Sequence, residues 1–108
     1  MDTFIGKHVL IGITFKDAEG RIADMFQTHG HIIEIHDTAL IVERLDGSGP
    51  FTLPPGLEAL KPAPPGSYHV RDTGTVVTDP DFLIYLTVAS NDPATVARHK
   101  SDGFTASL

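Results

Sequence analysis

The sequence predicts an all-β protein, a small antiparallel barrel of five to seven strands. Three observations predict it. Apolar residues recur with period two along most of the 108-residue chain, the pattern of strands with one buried face. Clusters of Gly, Asp and Ser break these runs at short intervals, as hairpin turns do. A proline-dense stretch in the middle forbids a central strand but suits a loop that crosses from one part of a sheet to another.

The elements follow in order. In KHVLIGITF, Val9, Ile11, Ile13 and Phe15 fall on one side and His8, Leu10, Gly12 and Thr14 on the other, which reads as a first strand. KDAEG turns the chain into RIADMFQTHGHIIEI, long enough for a bent strand, with Gly30 as the expected bulge. HDT reverses into ALIVERL, and DGSG reverses again into PFTL, so strands two to four read as a meander. FTLPPGLEALKPAPPGSY holds five prolines and two glycines, with room for one helical turn around Leu57 to Leu60. YHVRD, TVVT and DFLIYLTVA supply two or three further strands, the last apolar on both sides and therefore expected to be central. Residues 1–90 make the barrel domain. Residues 91–108 form a tail in which Asp92 can cap a short helix, Pro93 suits its first position, and Arg98, His99 and Lys100 suit its end. The chain beyond that helix is expected to fray, so truncation after Ser90 should be tolerated.

Composition narrows the function. The chain has no Cys, hence no disulfide, no thiolate nucleophile and no cysteine-based zinc site, which suits a reducing cytoplasm. MDTFIGKHVLIGITF lacks the basic start and long apolar core of a signal peptide, and no segment has the length of a membrane span. Fourteen acidic against eight basic residues give a net charge of −6, which opposes binding to a phosphate backbone and so to nucleic acid.

GKHVLIGITF, followed by FTLPPGLEALKPAPPGSYHVRDTGTVVTDPDF, resembles a group of small bacterial proteins of SH3-like or related small-barrel type. The likeness spans roughly residues 4 to 89 and rests on the order strand, LPP turn, Pro-rich crossing and Asp-Pro-Asp before the last strand. It implies the SH3-like barrel and carries no activity with it. A nucleic-acid binder of Sm-like type fits the same barrel class, but the charge opposes it.

Six histidines stand in the chain, three of them within QTHGHIIEIHD. His29-x-His31 followed by Glu34 resembles the first metal motif of cupins, and Pro64-x-Gly66-x-x-His69 the second. Two imidazoles two residues apart on one strand can share a metal, and a carboxylate adds a hard ligand. The likeness implies a metal site of His29, His31 and His69. Only Ile32 and Ile33 separate His31 from Glu34, however, one residue short of the cupin pattern, and strict alternation turns Glu34 to the opposite face. A bulge at Gly30 would likewise separate the two histidines. The expectation is therefore solvent-facing or hydrogen-bonded histidines, with no cofactor.

Ser48 and Ser67 lack a nucleophile elbow. Asp79 and Asp81 flank Pro80 and read as a turn rather than an acid–base pair. No catalytic residue is assigned. Asp17, Glu19, Asp37, Glu43 and Asp46 fall at turns and strand ends, which a barrel would group on one rim as a surface for a basic partner. The sequence thus points to a non-catalytic, cytoplasmic interaction module of immunity or adaptor type that binds a protein. The alternative is a cupin-like metal-binding protein.

Overall fold

The computed structural model of the chain describes residues 4–45, 47–70 and 74–104. Among them eight strands are present: β1 (His8–Lys16), β2 (Ile22–Ile35), β3 (Leu40–Arg44), β4 (Pro50–Leu53), β5 (Lys61–Pro62), β6 (Ser67–His69), β7 (Val76–Thr78) and β8 (Phe82–Val88). A 3₁₀ turn, Leu57–Ala59, lies in the Pro-rich crossing, and one helix, α1 (Pro93–Asp102), follows β8. The protein is mostly β, as the alternation predicts.

The barrel is not closed. Six strands form one sheet in the order β4-β3-β2-β1-β8-β5, and β6 and β7 pair separately. Nor is the sheet purely antiparallel, because β8 runs parallel to β1 from Val9↔Phe82 to Phe15↔Val88. The reason lies in the crossing: it carries the chain from β4 past three strands to the far side of β1, so that β8 starts at the same end as β1. A parallel neighbour requires a long connection of this kind. Closure would need the outer strands to meet. Instead β5 has two residues and ends at Pro62, while the outer edge of β4 is taken by the segment after α1, with Gly103 bridged to Thr52 and the Phe104 N–H donating to the Thr52 carbonyl at 2.6 Å.

The phases expected for β1 and β8 hold. Val9, Ile11, Ile13 and Phe15 of β1 are buried with Ile32, Leu40, Val42, Phe51, Leu53, Leu60 and Ile84 in the main core. Helix α1 lies over that core, with Val96 and Phe104 packed against it and the His99 ring edge-on to Phe15 and to Phe104. Asp92 caps the helix, its carboxylate accepting from the Thr95 N–H at 3.0 Å, and these hydrogen bonds hold its pKa below the ordinary value. The opposite face of the sheet carries a smaller cluster in which Val70 and Val77 of the β6–β7 hairpin cover Leu10 and Leu83. This cluster buries the second face of β8 only at Leu83, while Tyr85 and Thr87 are exposed; β8 is next to last in the sheet, beside the two-residue β5, rather than central as its apolar run predicts.

Residues 101–104 are docked rather than frayed. Ser101 and Asp102 belong to α1, Gly103 bridges to Thr52, and the buried Arg44 guanidinium donates to the carbonyls of Lys100 and Ser101 at 3.2 and 2.7 Å. Residues 105–108 lie outside the described residues. Truncation after Ser90 would therefore remove part of the core cover, contrary to the expectation from composition.

Candidate functional site

The β1–β2 hairpin builds the site. Its turn is fixed by Asp17, whose side chain accepts from the N–H groups of Glu19 and Arg21, each at 2.9 Å. The resulting register sets His8 opposite His31 and Leu10 opposite His29. Side chains of directly opposed residues share a face, so His8, His29 and His31 meet on the side of the sheet away from the main core. His8 Nε2 and His29 Nδ1 stand 2.9 Å apart, one donating to the other, and the His8 and His31 rings pack at 5.0 Å between centroids. All three are half-buried. Burial, then the neighbouring His29 and His31, holds the His8 pKa below its ordinary value, against a smaller upward pull from Asp81.

Gly30 is not a bulge. It stays in both ladders, opposite Val9 and Arg44, and its lack of a side chain lets the backbone of β3 come close: a Cβ there would overlap the Glu43 carbonyl and lie 2.8 Å from Val42 Cγ1. The bulge falls three residues later. Ile32 pairs with Val42 and Glu34 with Ile41, leaving Ile33 as the extra residue. That extra residue shifts the alternation. Ile35 returns to the core, and Glu34 comes to the same face as His31, opposite to the strict-alternation expectation. Glu43, paired with His31, is on this face too. The Glu34 carboxylate bonds to His36 Nε2 at 2.6 Å.

The other residues singled out by sequence are distributed differently. His69 lies on β6, exposed and opposite Val76 in the separate hairpin; the third histidine beside His29 and His31 is His8. Among the described residues, no group of three or more His, Asp or Glu side chains is arranged to hold a metal ion. Asp17 and Glu19 sit in the turn at one end of β2 and Asp37 in the turn at the other, so no single rim collects them. Asp46 lies outside the described residues. Asp79 and Asp81 serve the backbone, accepting from the N–H groups of Gly66 at 2.7 Å and His8 at 2.9 Å, in keeping with the turn reading. Ser67 is in β6, and Ser48 offers its carbonyl to Arg44. No described helix is long and apolar enough to cross a membrane.

The depressed His8 pKa has a definite consequence for stability. Its unfolded value is near 6.5, so between that value and the lower folded one the unfolded chain binds more protons. The contribution is fully present above pH 6.5 and is lost as the pH falls from there through the folded value. Urea midpoints are therefore expected to fall as the pH drops below about 6.5, and His8→Gln should flatten that fall. A midpoint slope equal in the variant and the wild type would exclude His8 as its source.

No family model, curated protein or solved structure matches the chain.

Proposed function

We propose that the protein is a non-catalytic interaction module of immunity or adaptor type, which binds a basic protein partner through the outer face of β2 and β3. The observation that supports this reading most is the bulge at Ile33, which puts Glu34 on the side where Glu43 already stands. On a chain of net charge −6, the two carboxylates add a local negative field to a general one, and such a field accelerates encounter with a cationic surface. Asp37 extends the acidic stripe at the nearer end of β2. His8 gives the face a pH response, because its protonation as the pH falls adds positive charge to the same side of the sheet.

The test is a pull-down from the source cell with wild-type protein and with Glu34→Gln/Glu43→Gln, followed by association kinetics. A basic protein should be recovered by the wild type. Its association should slow by roughly tenfold between low and physiological salt, and should weaken in the variant and below about pH 6.5. A partner indifferent to salt and to both substitutions, or recovery of nucleic acid, contradicts the reading. Micromolar or tighter binding of a transition-metal ion, lost in His8→Ala, would favour the metal-binding alternative instead.

A further inference from the structure

The six-stranded sheet has two edges, and each is guarded over part of its length. At β4 the segment after α1 covers the edge through Gly103 and Phe104. At the other side β5 pairs only with Phe82 and Leu83 of β8, and its own outer edge is two residues long and carries Lys61 and Pro62, both of which discourage strand addition. Beyond β5, residues 84–88 of β8 pair with β1 on one side and, among the described residues, with no strand on the other.

The direction of the backbone groups along this edge follows from the β5 pairing. Pro62 opposite Phe82 has no N–H to give, so Lys61 and Leu83 are the hydrogen-bonded pair. The Ala63 N–H donating to the Asp81 carbonyl at 3.1 Å agrees. Leu83 thus points both of its backbone groups outward, as does the Asp81 carbonyl, while the Asp81 N–H turns inward to the His8 carbonyl; alternation from Leu83 gives Tyr85 and Thr87 the outward direction. The segment between them is uncharged: FLIYLTV contains no Lys, Arg, Asp, Glu or Pro. Tyr85 is 66% exposed.

We propose that this edge is where a second copy of the chain binds, by antiparallel β8-to-β8 pairing about a two-fold axis at Leu86. Elsewhere two copies of net charge −6 repel. Along residues 84–88 there is no charge to repel, and a basic partner finds none to recognise. The two-fold at Leu86 is the register that uses both outward residues without displacing β5: Tyr85 of one copy faces Thr87 of the other, twice, and each such pair exchanges both backbone bonds, about four in all. A two-fold centred on Tyr85 would bring Thr87 against Leu83, which Lys61 already occupies. Pairing at Leu86 joins the two sheets into one and leaves the β2–β3 face of each copy open.

Sedimentation equilibrium with charged-edge variants tests the proposal. The wild-type mass should rise with concentration from 11.6 kDa toward twice that value. Tyr85→Lys/Thr87→Lys and Tyr85→Glu/Thr87→Glu should each stay monomeric, since like charges would face each other across the axis. Mixed in equal amounts, they should pair again, because Lys in one copy then faces Glu in the other. Unchanged urea midpoints show that the variants are folded. A wild type monomeric throughout, variants that self-associate as the wild type does, or a mixture that remains monomeric would each overturn the β8 edge and its register.

Discussion

Arg44→Met is expected to cost about 3 kcal/mol of folding free energy, although Arg44 belongs to no candidate binding face. The guanidinium is 7% exposed and donates to four backbone carbonyls: Gly49 at 3.0 Å, Ser48 at 2.9 Å, Lys100 at 3.2 Å and Ser101 at 2.7 Å. Two of these belong to the turn between β3 and β4 and two to the last turn of α1, where helix carbonyls have no intrahelical partner. Its positive charge suits that negative helix end, and the Phe51 ring lies beneath it with its centroid 5.0 Å from the guanidinium carbon. Methionine keeps much of the volume but leaves the carbonyls without their donor. Hydrogen bonds from a charged group contribute about 1.5–3 kcal/mol apiece at most and are not additive, so about 3 kcal/mol is a moderate total. Urea unfolding measures it. The same loss should appear in part on truncation after Ser90, and the two changes together should cost less than their separate costs added. A cost for Arg44→Met below about 1 kcal/mol would mean that the helix does not depend on this clamp.

Gly30→Ala is expected to cost a similar amount, about 3 kcal/mol, through overpacking. The added methyl overlaps the Glu43 carbonyl and meets Val42 Cγ1, and neither can withdraw without moving β3. Gly12→Ala is the control. Its Cβ meets only the Tyr85 ring, at 2.9 Å, and that ring is on the surface and can turn aside, so the cost should stay below about 1 kcal/mol. Equal costs at the two positions would refute the account of Gly30 as a close-approach residue.

These two residues show what the sequence concealed. Alternation placed Val9, Ile11, Ile13 and Ile84 in the core because one-sided burial leaves its period in the chain. It also put Arg44 in phase with Leu40 and Val42, and a cation in a buried phase is a signal that something must receive it. Gly30 was legible as a special position but not as to kind, since a strand glycine serves a bulge or a close approach equally well. The bulge at Ile33 has no signature: Ile33 is an ordinary apolar residue that ends up 40% exposed. The convergence of His8 with His29 and His31 was within reach, because a hairpin closing over residues 17–21 carries His8 to the level of His31. Closure and the parallel β1–β8 pair were not, because which distant strands become neighbours depends on the path of the crossing rather than on local period.

The central claim is that β1 and β2 bring His8, His29 and His31 into one cluster beside Glu34 and Glu43. An NMR pH titration of the histidine ring protons, in the wild type and in His8→Gln, tests it most directly. The account predicts that His8 titrates below its ordinary value and that removing it shifts the ring-proton resonances of His29 and His31, which its ring contacts, while leaving those of His69 in place. A His8 that titrates at its ordinary value, with His29 and His31 unaffected by its loss, would contradict the cluster and with it the face on which the proposed function rests.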